Sequence, residues 1–481
     1  MTRGYRVYRY KGYYHVRYKH CWDSYPEDLG IKVAAEIPRD PEAYRIWRDR
    51  LREELGKAFE QSSVNGSDGP TITKEQPQND IMIEWIYEID LDHEVFLVDS
   101  FPLFSLQNMP ESEASFLDCI GVDSYGVRSY SASTPEKHRY NWKSPPPSVD
   151  NEVMSLYEAR QPYPDCSELS IDELLGEAAQ TLGTCEAVRI GLYEVLVNAA
   201  MRFWVVAHGT RVLESLPDRT HISGELLSMG IELVRLAFGR MLFGKAVKFN
   251  SLNAVSYSPG FPWLAPDICL RITTHLDDER NVKKNILQLV DEISRHRRPG
   301  NLAYGIIFSF FHCLIIQVDE DNRFKSTAPM QFMPSYHTTS PSTPGITAVA
   351  RVAYRSLITR KLRNVRNTLP PTHFLNHVPL DVVEHIAADL GSFDLTNLCS
   401  AIPLFRPAAD MLLRHPFIDD YRLLEVLPSM ALDDPLQSKA FSAIHRGLFV
   451  PVLIVGEYGS SFHFHLGDEI RKVDYATGTK R

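Results

Sequence analysis

A chain of 481 residues, 44% hydrophobic and 23% charged, is too long for one hydrophobic core and too apolar to be wholly disordered. Two or three globular domains are therefore expected. Its 51 lysines and arginines against 61 aspartates and glutamates leave a net charge of −10, which argues against a general nucleic-acid binder.

Residues 4–18 (GYRVYRYKGYYHVRY) are dense in Tyr and Val around Lys11-Gly12, the composition of a β-hairpin whose Gly supplies a positive φ. Six cations and no acids fall in the first 20 residues. Arg and Lys beside Tyr can hold an RNA backbone and stack its bases. The same residues also make a hairpin with an aromatic face on the core and a cationic face in water. The acids at Asp23, Glu27 and Asp28 favour this second reading. Pro26 and Asp40-Pro41 each mark a helix start, and the second helix carries Tyr44, Trp47, Leu51, Leu55 and Phe59 as a core-facing stripe. Residues 61–80 read as a linker. A second hairpin is expected over 81–98, turning at Asp90-Leu91-Asp92-His93.

Residues 121–150 are rich in Ser, Pro and Tyr, and read as another linker. Ser170-x-x-Glu173 has the form of a capping box. Further helices are expected at about 185–207 and 223–243, and from Asp278 to the Arg297-Arg298-Pro299-Gly300 stop. Residues 302–318 and 329–333 suit buried strands, and 346–362 a helix. Its continuation, residues 351–366, holds six cations and no acids, the pattern of a solvated helix face or of an import patch.

No P-loop, GxGxxG after a strand, HExxH, GxSxG or kinase signature occurs, so the sequence makes no positive case for an enzyme and implies no cofactor. His15, His20, Cys21 and Asp23 bear metal-ligating groups, but at a spacing that matches no zinc module. His312-Cys313 pairs an imidazole with a thiol on adjacent residues. On a strand these point to opposite faces, which favours a buried core pair over a nucleophile. His463 and His465 share a strand face without a third ligand. The seven cysteines include no CxxC pair and fit a reducing compartment, cytoplasmic or nuclear. No apolar signal-peptide core follows Met1, and the apolar run at 302–316 is shorter than the roughly 20 residues of a membrane span.

Residues 378–398 carry the strongest motif. Val378-Pro379-Leu380-Asp381-Val382-Val383 opens a helical pattern with Val382, Val383, Ile386 and Leu390 on one side. Gly391-Ser392-Phe393 breaks it, and Asp394 precedes a second short helix with Leu395 and Leu398 inward. This spacing resembles the F-box, although Ser400-Ala401-Ile402-Pro403-Leu404-Phe405 departs from its usual continuation. The resemblance implies docking on the Skp-type adaptor of a cullin–RING ubiquitin ligase, with the rest of the chain recruiting a protein substrate. The implied adaptor contacts are Pro379, Leu380, Val382, Ile386, Leu390, Leu395 and Leu398. The alternative is a non-enzymatic binding or structural protein in which this helical hairpin is a buried core element. Most of residues 4–350 also resemble a group of fungal proteins to which no activity is attached, through YRYKGYYHVRYKHCWDSYPEDLG, EWIYEIDLDHEVF, FHCLIIQVD and TPGIT. The DSYPEDLG element is loosely similar to a turn-helix in small bacterial proteins.

The expected architecture is α+β. An α+β hairpin/helix domain spans 1–100, a largely irregular linker 101–165, and a mainly helical domain with central strands 166–367. The F-box-like segment occupies 371–415 and a C-terminal tail 416–481. The expected partners are a Skp-type adaptor and a protein substrate, with no membrane or nucleic acid.

Overall fold

A computed structural model of the chain describes residues 3–19, 24–62, 71–79, 82–160, 168–176, 182–213, 215, 221–243, 255–258, 260–297, 302–335, 337–363, 378–428, 436, 438–456, 461–466 and 469–474. Helices and mixed sheets make it an α+β protein. The chain divides into two compact units, Met1–Pro145 with Ala207–His221, and Pro146–Val206 with Ile222–Arg481. Among the described residues no single helix is long and apolar enough to cross a membrane.

In the first unit, β1 (Gly4–Tyr10) and β2 (Tyr13–Lys19) form the expected hairpin. Lys11 and Gly12 both have positive φ (51° and 73°), the type I′ geometry whose twist matches that of the strands. A π-type turn, Pro26–Gly30, leads into α1 (Ile31–Ala35). The long α2 (Pro41–Ser62) then starts at Asp40, whose carboxylate accepts from the Ala43 amide at 2.8 Å. β3 (Thr71–Thr73) pairs with β2, so part of the 61–80 segment is sheet; residues 63–70 lie outside the described chain. β4 (Trp85–Asp90), β5 (Val95–Val98) and β6 (Phe101–Ser105) complete a six-stranded sheet in the order β3-β2-β1-β4-β5-β6, with β1 and β4 parallel.

This order corrects the expectation of a cationic face in water for β1, while Lys11 in the turn and Arg17 on β2 are exposed as expected. β1 lies inside the sheet, with Tyr8 in one apolar cluster and Val7 in another, so both faces are covered. Of its two cations, Arg9 is consequently internal and Arg6 half-buried. Arg9 is buried and donates to Asp90 at 2.8 Å, while Arg6 pairs with Glu36. The turn 90–94 draws the unit together. The Asp90 carboxylate accepts from the amides of Asp92 and His93 at 2.9 and 3.0 Å and bonds His93 Nδ1 at 2.6 Å. Burial opposes its charge, but the hydrogen bond from His93 and the nearby Arg9 hold this carboxyl below the usual range. Asp92 accepts from the amides of Lys11 and Gly12 at 2.7 and 2.8 Å, which fastens one hairpin turn to the other. Glu94 accepts from Arg48 at 2.9 Å and from Tyr44 at 3.2 Å on α2.

Residues 101–145 are not a linker. α3 (Glu113–Cys119), capped by Ser112, and the β7 (Ile120–Val122)–β8 (Arg128–Tyr130) hairpin fold into this unit. Phe104, Phe116 and Tyr125 are fully buried. Composition misleads here because a few aromatics, spaced among Ser and Pro, each fill the core; Phe116 packs against Phe96 and Phe104 at 5.8 and 5.9 Å between ring centres.

The second unit begins with α4 (Asn151–Arg160), α5 (Ile171–Leu175) and α6 (Thr184–Ala200). α5 has the capping box read from the sequence, with Ser170 and Glu173 each accepting the other's amide. Along α7 (Trp204–Val212) the chain returns to the first unit at Ala207. There Arg211 forms a buried ion pair with Asp123. Burial and then the charge of Arg211 push the neighbouring His208 down to about 3 from its ordinary 6.5. Below pH 6.5 the unfolded chain takes up a proton that the folded imidazole refuses, so stability is full above 6.5 and falls as the pH drops toward 3. We expect the first unit to lose on the order of a few kcal/mol across that window. His208→Gln should flatten the loss in denaturant melts taken at pH 7 and pH 4.5, and an equal loss in both proteins would refute this assignment.

The helix α6 is buried almost all round and is the hub of the second unit. Several of its polar side chains are partnered from other elements: Glu186 by Arg351 at 3.1 Å, Glu194 by Lys439 and Ser342, and Arg189 by three carbonyls. α8 (Gly224–Phe238) follows, then β9 (Leu242–Phe243). β10 (Val255–Ser258), β11 (Phe261–Ala265) and β12 (Ile268–Ile272) precede α9 (Glu279–His296), which Asp278 caps and whose stripe of Val282, Ile286, Leu287, Val290 and Ile293 is buried as expected. β13 (Ala303–Phe308), β14 (His312–Val318), β15 (Phe324–Ser326) and β16 (Met330–Gln331) complete the central sheet. α10 (Pro344–Arg363) corrects the solvated-face expectation over the part described. Arg351 is buried between Glu186 and Asp172, and Val352, Ala353 and Leu357 face the core; the side chains of 360–366 lie outside the description.

The F-box-like segment forms α11 (Leu380–Ala388), α12 (Ser392–Ala401) and α13 (Arg406–Leu412). Residues 416–474 are no tail. β17 (Phe417–Ile418), β18 (Tyr421–Val426), β19 (Ser438–His445), β20 (Leu448–Gly456), β21 (Ser461–Leu466) and β22 (Glu469–Asp474) form a sheet that β9 completes at its far edge, beside β17. The link from β9 to β17 spans more than 170 residues of sequence, which is why no local pattern announces it.

Candidate protein-interaction surface

Pro379 caps α11 from an extended conformation (φ −57°, ψ 143°), and its missing amide costs nothing at a helix start. In a helix Val382 and Val383 point about 100° apart, so they cannot share a side. Val383 and Ala387, four residues apart, are fully buried in a cluster with Leu395, Phe405, Ala408, Ala409, Leu413 and Phe417. Val382 and Ile386, also four apart, form the outer stripe and are 43% and 46% exposed. The expected single apolar side is therefore two stripes, one for the core and one for solvent.

Of the implied adaptor contacts, Pro379, Val382 and Ile386 lie on the outside. Leu390 and Leu398 are half-buried at the margin of the cluster. Leu395 is fully buried and belongs to the hairpin's own core. The side chain of Leu380 is outside the description. Phe393, in the first turn of α12, is 50% exposed and joins the outer apolar set. Its place in the Gly391-Ser392-Phe393 break was the sequence signal for it. Asp381, Glu384, Asp389 and Asp394 surround the stripe, and no Lys or Arg occurs between 378 and 405.

The hairpin is held by groups far away in sequence. Ser392 Oγ donates to the Asp419 carbonyl at 3.3 Å, and a Cβ at Gly391 would collide with the Asp420 carboxylate. The Phe417 amide donates to the Met241 carbonyl at 3.0 Å, and Leu242 packs against the helical cluster. Arg189 donates at 3.2 Å to the Arg414 carbonyl just past α13. The segment is thus built into the second unit and is no detachable module.

Two of the other candidate groups, Cys313 and His15, are buried. Cys313 is fully buried, its thiol donates to the Gly345 carbonyl at 3.6 Å, and burial pushes its pKa up, away from a reactive thiolate. His15 is buried inside the first unit's sheet, whereas His20, Cys21 and Asp23 lie outside the described residues. Among the described residues no three His, Cys, Asp or Glu side chains gather as a metal site. Compared with known proteins, the chain matches no family model, no curated protein and no solved structure.

Proposed function

We propose that this chain is an F-box-like interaction protein, which docks through the outer stripe of α11 onto a Skp-type adaptor and so brings a bound protein to a cullin–RING ubiquitin ligase. The observation that carries the reading is the exposure of Val382 and Ile386, one turn apart, on a helix whose neighbouring stripe is fully buried. Large aliphatic side chains held in water at helical spacing suit insertion into an apolar groove. They lie inside the 378–398 pattern on which the F-box resemblance rests. The full burial of Leu395 favours the second reading, in which the hairpin serves the core alone.

One experiment separates the two. The full-length chain is tested against purified Skp-type adaptor, since a fragment starting at residue 365 would lack β9 and Arg189. Wild type is expected to co-purify with the adaptor, and Ile386→Asp to abolish the complex. The thermal melt of Ile386→Asp should stay close to that of wild type, because the side chain is on the surface. Leu395→Asp is no substitute, since it places a carboxylate in the core and collapses the hairpin. Equal capture of adaptor by wild type and Ile386→Asp would defeat the proposal.

A further inference from the structure

We infer that the tip of the β19–β20 hairpin is a second anchor for the partner that grips α11. This rests on the reading above and names a part of the interface that the 378–398 pattern does not contain. Leu448 and Phe449 are 69% and 72% exposed, the most exposed large apolar side chains among the described residues. They follow a tight turn in which Arg446 and Gly447 both take positive φ (49° and 78°), type I′ geometry in a fully paired hairpin. The finger is therefore held rigidly in water, which lowers the ordering cost of binding.

Its placement ties it to the helices. One cross-strand row runs from Leu242 through Phe417, Arg422 and Ile444 to Phe449, each residue paired with the next. Side chains directly opposite each other in a sheet share a face, so these residues lie on one side of it. Leu242 and Phe417 are covered by the helical hairpin. At Arg422 the charge of Asp389, at the end of α11, acts on the guanidinium. Beyond that point Ile444 is half-buried and Phe449 is open to solvent. Three strand spacings, about 14 Å, separate Phe417 from Phe449. Leu448, next to Phe449, faces the other side of the sheet with its cross-strand partner His445, on which Tyr421 stacks at 4.3 Å.

Size and charge select the occupant. The four exposed side chains of the α11 corner offer on the order of 300–400 Å², whereas a stable interface buries about 800 Å² per partner. A partner seated on that corner therefore has to reach beyond it, and Phe449 at the base of the finger is the adjoining apolar side chain on the same side of the sheet, with Leu448 beside it at the tip. A second copy of this chain is disfavoured, because the acids around the stripe would meet each other across the two-fold axis of a symmetric pair.

The test is the affinity of full-length protein for purified Skp-type adaptor, measured by calorimetry for wild type, Ile386→Asp and the double variant Leu448→Ser/Phe449→Ser. The double variant is expected to bind at least tenfold more weakly with an unchanged thermal melt. If it binds as wild type does while Ile386→Asp fails, the second anchor is overturned and the proposed function stands. If wild type itself does not bind, both fall. A wild-type dimer that the double variant dissolves, with adaptor affinity unchanged, would make the finger a self-association element and also overturn the inference.

Discussion

Replacing Arg189 with alanine is expected to destabilise the second unit by about 4 kcal/mol, a large share of the 5–15 kcal/mol that holds a typical domain folded. Arg189 is the largest fully buried side chain among the described residues. Its guanidinium donates to the carbonyls of Ala237 at 3.1 Å, Gly239 at 2.6 Å and Arg414 at 3.2 Å. Two of these carbonyls belong to the end of α8 and the third follows α13, so one planar fork satisfies chain ends that approach the same place from distant sequence. Burial pulls its pKa down to about 10, which leaves it charged at neutral pH. Alanine would create a cavity and strand one buried and two part-buried acceptors at once. Lysine keeps the charge but has no fork, and should recover only part of the loss. Methionine fills the space without a buried charge, and should also fall between alanine and wild type. Denaturant melts give the order, and hydrogen exchange locates it. Amides of residues 234–243 and 412–418 should lose protection first. A cost below about 1 kcal/mol for Arg189→Ala would mean that water readily replaces the guanidinium.

Arg189 also illustrates what could not be read from the chain. Local devices were legible: the Lys11-Gly12 turn, the Ser170–Glu173 box, the start of α9 near Asp278 and its buried stripe all stand where residue spacing puts them. Each depends on residues a few positions apart. Long-range partners were not legible. Nothing near Leu242 indicates that it pairs with Phe417, and nothing near Arg9 or Arg351 indicates Asp90 or Glu186. Basic stretches therefore read as solvated faces although several of their cations are internal. The candidate surface was legible in outline, but the two stripes of α11 were merged. Apolar residues on adjacent positions qualify equally by composition, and only the packing of Val383 and Ala387 against Phe405 and Ala409 decides which stripe is spare.

The same limit applies to the pair with the second largest expected effect. Asp123→Ala is expected to cost the first unit roughly 3–5 kcal/mol, because it leaves the guanidinium of Arg211 buried without its carboxylate. The partners lie 88 residues apart, and both side chains are almost fully buried. Asp123 has a second task. Its Oδ1 accepts from the amides of Tyr125 and Val127 at 2.9 and 3.0 Å, which shapes the turn between β7 and β8. Asp123→Asn keeps that acceptor and removes only the charge, so it should be milder than alanine. Arg211→Met leaves a carboxylate that two amides still stabilise, and should also be milder. The double variant Asp123→Asn/Arg211→Met should cost less than the two single changes added together, since no lone charge remains in the core. Hydrogen exchange on the full-length chain supplies its own control. Amides of β4 and β5 in the first unit should lose protection while those of β13 and β14 in the second keep theirs. Additive costs in the double variant would show that the two residues contribute independently, and that the turn, not the ion pair, accounts for the effect of Asp123.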